Sequence, residues 1–342
     1  MDFELLARVS NARGISGFED DIQEVSREVL SQCCDETSRD RMGNITGVRR
    51  APRDANGDAR VPRVAIAAHA DEIGMMVKHI TPEGFLKFQP IGGLHRPSIM
   101  SQRVEVLGRE TVQGVIVPHH GLEETVPPFE EMYIDLGRPV DEIRELVPIG
   151  SPVNLLGEVA WLNNRVVVGR NFDDRIGVYC LLDAMRRLER NLVDVYAVSS
   201  VQEEVGVRGI APAAYAIEPD IGIAIDGSIT KGPYLAPHDP TCDLGGGTGV
   251  YIMDRLTIGD PRLVRFLLSL GEDHGIRVQR NIGGGTDASV LQRTRMGALS
   301  TTVGAPVRYM HSTVQLCHVE DIEATVSLLV CFLEHAHELL ND

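Results

Sequence analysis

Three runs of this chain, Val64-Ala65-Ile66-Ala67-Ala68, Val195-Tyr196-Ala197-Val198-Ser199-Ser200 and Ile221-Gly222-Ile223-Ala224-Ile225, carry too little polar alternation for a strand with one wet face. Short β-rich runs of this kind suit strands buried on both faces, which occur in parallel or mixed sheets covered by helices. Each run also ends in side chains able to hold a cation or a proton: His69 and Asp71, Glu203 and Glu204, and Asp226. Ligands of open α/β sheets bind beyond the carboxyl ends of the strands, so these endings are where chemistry is expected.

Segments with helical spacing separate the runs. Ile22, Val25 and Val29 follow Ser16-Gly17-Phe18-Glu19, which fits a capping box, and predict a first helix reaching about residue 30. Ile176, Cys180, Ala184 and Leu188 mark a second helix, and Leu263, Phe266, Leu267 and Leu270 a third. Ile322, Val326, Leu329, Leu333, Ala336 and Leu340 line one face of a long closing helix. The fold class is therefore α/β, a mixed and mostly parallel sheet flanked by helices.

Between residues 74 and 168 the texture changes. Pieces at 85–88, 103–107, 112–117, 153–159 and 165–168 are rich in β-formers and alternate with Gly, Pro and Asn turns, with one helical stretch near 141–146. This predicts a small all-β, barrel-like domain at 74–168 inserted into an α/β domain made of 1–73 and 169–342. Residues 49–63, rich in Pro, Asp, Gly and Ala, read as a surface loop.

The charge balance, 33 Lys and Arg against 49 Asp and Glu, gives a net charge of −16 without a basic run, which argues against nucleic acid and anionic membranes as partners. Met1-Asp2-Phe3-Glu4-Leu5-Leu6 lacks the basic region and apolar stretch of a secretory signal. Six cysteines have no C-x-x-C spacing and read as scattered thiols of a cytoplasmic protein.

Five segments supply metal-competent groups: His69 with Asp71, Asp173 with Asp174, Glu203 with Glu204, Asp226, and His311 within Arg308-Tyr309-Met310-His311-Ser312. Imidazole and carboxylate donors suit zinc or a related divalent ion without any cysteine. In His69-x-Asp71 the carboxylate is placed to orient a ligating imidazole and raise its basicity. Neighbouring residues at a strand end point opposite ways, so of Glu203 and Glu204 one binds metal while the other handles protons. His119-His120, in a Pro-rich loop, and His335 and His337, two apart on a helix, read as surface pairs. Gly245-Gly246-Gly247 and Gly283-Gly284-Gly285-Thr286-Asp287 lack the ending of a phosphate loop.

Taken in order, His69-x-Asp71, Asp173-Asp174-Arg175, Glu203-Glu204-Val205-Gly206, Asp226, Gly284-Gly285-Thr286-Asp287-Ala288 and Arg308-Tyr309-Met310-His311-Ser312 resemble the tetrahedral and glutamyl aminopeptidases. These are co-catalytic metallopeptidases with a zinc-exopeptidase-like fold, some of whose members are labelled endoglucanases. The resemblance spans nearly the whole chain, from Gly14-Ile15-Ser16-Gly17 to the closing helix. It departs at Asp174, where the family often has Asn, and at Thr313, where it more commonly has Pro.

The resemblance implies two divalent ions, Zn or else Co or Mn. His69 and Asp226 would bind one, Glu204 and His311 the other, and Asp173 both, with Glu203 as general base and Asp71 behind His69. Ions about 3.5 to 4 Å apart can share a bridging hydroxide and polarise a carbonyl together. It also implies a homo-oligomer, commonly a dodecamer, acting on short peptides. The alternatives are a deacylase or carboxypeptidase of the same clan, a two-carboxylate glycoside hydrolase that would survive a chelator, and a non-catalytic assembly protein keeping metal for stability. The long β-rich interval between His69 and Asp173, against the short one from Asp226 to His311, favours the aminopeptidase.

Overall fold

The computed structural model describes residues 1–53, 60–118, 126–233 and 242–340. His119-His120 and part of the 49–63 segment lie outside them. The strands predicted from their uniform apolarity form the middle of an eight-stranded sheet in the order Glu36–Arg39, Ile45–Arg49, Asp194–Ser200, Arg63–His69, Ile221–Ile225, Leu299–Gly304, Thr248–Met253, Val278–Ile282. Arg63–His69 pairs in parallel with both of its neighbours, and Ile221–Ile225 runs parallel to Leu299–Gly304.

Burial explains why Arg63–His69 shows no alternation. Val64, Ile66 and Ala68 face the main core with Phe172–Arg187 and Val319–Leu339, while Ala65 and Ala67 face a smaller core with Ile210–Ile217 and Ala288–Arg293. Both faces are dry, so both are apolar.

The chain leaves Arg63–His69 for Asp194–Ser200 on one side and then Ile221–Ile225 on the other, so the order reverses at this strand. A crevice opens beyond the carboxyl ends at such a point. The parallel register aligns Ser200 with His69 and Ala224 with Ala67, which brings Asp226 to the level of His69.

The insert is a closed barrel of Gly74–Ile80, Leu86–Ile91, Met132–Asp135, Thr111–Pro118, Arg103–Leu107 and Pro152–Leu155, filled by its own core that includes Phe88, Ile116 and Ile134. Its strands end at Leu155. Val166–Gly169, expected within the insert, pairs instead with Gln315–His318 in a five-stranded sheet that also holds Ala160–Trp161, Pro306–Arg308 and Ser228–Ile229.

Two local expectations are corrected. The first amphipathic helix runs Asp20–Cys33 and has no side-chain cap, because Ser16 and Glu19 do not form a capping box. The Ser16 hydroxyl donates instead to Asp71 at 2.6 Å, and Glu19 accepts from the Gly17 and Gln202 amides. A further helix, Phe3–Asn11, precedes it, capped by the Asp2 carboxylate. Among the described residues no helix is long and apolar enough to cross a membrane.

Candidate metal centre

His69 closes its strand with a side chain only 3% exposed. Its Nδ1 lies 3.1 Å from the Asp71 carbonyl oxygen and 3.6 Å from the Asp71 carboxylate, and its Nε2 lies 3.3 Å from Asp173 Oδ1. Asp71, fully buried, also accepts from the backbone amides of Glu203 (2.9 Å) and Glu204 (3.1 Å). One carboxylate thus fixes an imidazole and the turn that carries both glutamates.

Asp173 stands in the first turn of Phe172–Arg187, where its amide donates to Gln315 Oε1. Its second oxygen, Oδ2, lies 3.2 Å from His311 Nε2, so the carboxylate sits between the two imidazoles. The neighbouring Asp174 is not among the donor groups that converge here and accepts from the Gly177 amide.

His311 follows the strand Pro306–Arg308 in a loop with φ of +60°. The Gly93 carbonyl oxygen, on the loop leaving barrel strand Leu86–Ile91, is 3.0 Å from its Nδ1. A Cβ on Gly93 would come within 2.4 Å of that nitrogen, so glycine is what lets the two loops meet.

The donor atoms fall into two groups, each within 4.8 Å: His69, Asp173 and Asp226, and Asp173, Glu204 and His311. Glu203 belongs to neither, although its carboxylate comes within 4.0 Å of His69. All five sequence-derived ligand candidates and both Glu203 and Asp71 therefore meet in one place. All but Asp71, which lies behind His69, open onto a cavity of about 1430 Å³ that Tyr251, Leu256, Ile282 and Met310 also line.

The electrostatics of the cluster ask for positive charge. Burial, and then nearby carboxylates, push Asp226 well above the usual range and Glu204 up to about 7. Burial also raises Glu203, to about 8. Burial alone would lower His69, yet the hydrogen bonds its ring donates to Asp173 and Asp71 hold it well above its ordinary value, and Asp173 raises His311 to about 9. Among the described residues no Lys or Arg side chain pairs with Asp173, Glu203, Glu204 or Asp226. Buried, crowded carboxylates without a fixed cation are costly unless protonated or metallated, and nitrogen and oxygen donors at this spacing fit divalent metal.

Supporting residues were not legible in sequence. Glu72, next to Asp71, accepts from Arg170, Arg175 and Asn171. Arg175 is completely buried and also donates to the Ala70, Val9 and Ala12 carbonyls, tying the end of the central strand to the first helix. The Ser200 hydroxyl holds Asp287 at 2.5 Å. His335 and His337, expected at the surface, are both half-buried, His335 beside Cys331.

The fold and this donor set define the class of metal-dependent peptidases built on a helix-flanked sheet. A family model described as M42 glutamyl aminopeptidase matches residues 53–328, and the chain belongs to that family. It is 32% identical to a lysyl aminopeptidase of Pyrococcus furiosus, covering 98% of this chain and 97% of that one. An aminopeptidase structure from the archaeon Desulfurococcus kamchatkensis superposes with a TM-score of 0.91 at 34% identity, covering 97% of this chain and 94% of the other. The TET1 peptidase of Pyrococcus horikoshii, described as assembling into a tetrahedron or a large octahedral shell, gives 0.84 at 30% identity, over 97% and 98%.

Proposed function

We propose that this chain is a two-metal aminopeptidase that removes residues from the N-termini of short peptides. The observation that carries the reading is the placement of Asp173, one carboxylate oxygen facing each imidazole, with Glu203 beside the cluster but outside both donor groups. His69 and Asp226 would hold one ion, Glu204 and His311 the other, and Asp173 both. Two divalent ions there, Zn or else Co or Mn, would supply Lewis acidity to a shared water and to the scissile carbonyl.

The remaining work falls to the protein. Glu203, a stronger base than an exposed glutamate because it is buried, takes the water proton and delivers it to the leaving amine. Asp71 keeps His69 oriented and the Glu203-Glu204 turn in place. The assembly is a homo-oligomer, a dodecamer by analogy with the tetrahedral relative, with the barrel at 74–155 as the oligomerisation module. Six free cysteines suit action in the cytoplasm.

Glu203→Gln tests the core of this reading. Turnover of aminoacyl-anilides should fall about 10²- to 10⁴-fold while elemental analysis still finds both ions. Unchanged turnover removes Glu203 from its role, and preferential cleavage of N-acylated amino acids would point to a deacylase instead. Light scattering on the intact protein gives the subunit number.

A further inference from the structure

Two helices meet outside the cavity. Pro261–Asp273 ends at His274, and Val319–Leu339 packs beside it, with Phe266 and Phe332 edge to face. Between these helices Cys331, His335 and His274 converge, a donor atom of each within 4.8 Å of the other two. None of the three lines the cavity. Cys331 and His335, four residues apart, share one helix face. His335 Nδ1 stands 3.9 Å from Cys331 Sγ and 2.8 Å from the Cys331 carbonyl oxygen. The exposed His274 brings its ring to within 5.3 Å of the His335 ring at a 55° tilt, neither stacked nor edge-on.

We propose that Cys331, His335 and His274 form a further metal site, separate from the cavity, that takes Zn²⁺ or a similarly thiophilic divalent ion. One sulfur and two imidazole nitrogens suit zinc or cobalt, whereas magnesium and calcium take oxygen. His335 supplies one ring nitrogen to the ion: Nε2 while Nδ1 donates to the Cys331 carbonyl, or Nδ1 once that bond is released toward the neighbouring sulfur. Burial and the carboxylates of Glu334, Glu338 and Asp273 push the Cys331 thiol up, and a cation reverses that preference. On binding, the S–H bond breaks, its proton leaves to water and a sulfur–metal bond forms. Water or one of those carboxylates fills the fourth position. The ion ties the end of one helix to the closing helix.

Sulfur makes the site separately observable, because the cavity donors are all nitrogen and oxygen. Chelated full-length enzyme is refilled with Co²⁺, and the near-ultraviolet thiolate-to-cobalt band is followed together with the metal-to-protein ratio. The band should appear on titration. Cys331→Ser should abolish it and remove one ion per subunit, and His274→Ala should weaken the band's Co²⁺ affinity about 10- to 100-fold. Peptide hydrolysis should be unchanged in both variants. No band at saturating Co²⁺, or a band surviving in Cys331→Ser, overturns the proposal. If Cys331→Ser does not fold, His274→Ala at its exposed cap decides alone, and an unaltered titration overturns the proposal. Failure of the cavity to bind two ions would leave the sulfur band untouched, so the two proposals fail separately.

Discussion

His69 reaches the centre from the end of a strand buried on both faces, and its side chain is 3% exposed; His311 reaches it from a loop and is 40% exposed. The first is fixed by Asp71, which is anchored in turn by Ser16 and by two backbone amides. The second leans on one carbonyl, Gly93, borrowed from the barrel. Both meet the same carboxylate, that of Asp173. One half of the centre is thus organised by the sheet before anything binds, whereas the other depends on contact between two parts of the chain. The general lesson is that a strand end gives a ligand its position, while a loop ligand needs a partner to hold it.

The contrast can be broken at the buried half first. Arg175→Met would remove the donors that serve Glu72 and the Ala70, Val9 and Ala12 carbonyls. Unpairing groups this deeply buried should cost about 3–5 kcal/mol in urea denaturation. A loss below about 1 kcal/mol would mean the strand end is held by something else.

Gly93→Ala attacks the exposed half. The added methyl displaces the His311 ring, and the second zinc titrated into chelated protein should bind about 10- to 100-fold more weakly. The first zinc and the denaturation midpoint should barely change. If both ions weaken equally, the halves are not independently organised.

The smallest effect belongs to a control outside both halves. Glu323 pairs with Arg187 and the terminal amine of Met1, and mainly the Arg187 hydrogen bond lowers its carboxyl from 4.5 to about 2. Between those values the unfolded chain binds more protons, so this pair's contribution falls as pH drops through that window and is gone below it. Because the groups are partly exposed, Glu323→Gln should cost no more than about 1 kcal/mol at neutral pH and nothing below pH 2, read from acid-dependent melting.

The strand-borne part of the candidate centre was legible because each proposed ligand follows a run whose uniform apolarity announces a buried strand, as at His69, Glu204 and Asp226. Asp173 and His311 were found through their motifs alone, and no local pattern foretells that Gln315 and Gly93 hold them. Ser16 shows the limit most clearly. Its spacing to Glu19 satisfies a local capping rule, yet a buried carboxylate more than fifty positions away claims its hydroxyl. Barrel strands Gly74–Ile80 and Met132–Asp135 carry weak local signals, because Lys78 and His79 break the alternation of the first and the second is only four residues long. A β-rich piece does not reveal its partner, so nothing within Val166–Gly169 itself points beyond the barrel to Gln315–His318.

The Gly92-Gly93 loop leaves a barrel strand and lands on Glu204 and His311, one donor each from the more accessible half of the centre. Free energies of interaction are reciprocal, so any contact that shifts the barrel alters how tightly this half grips its ligand, and filling the half must restrain the barrel in return. A neighbouring molecule seated on the barrel would therefore act as an effector of the chemistry some residues away, without touching a reacting group.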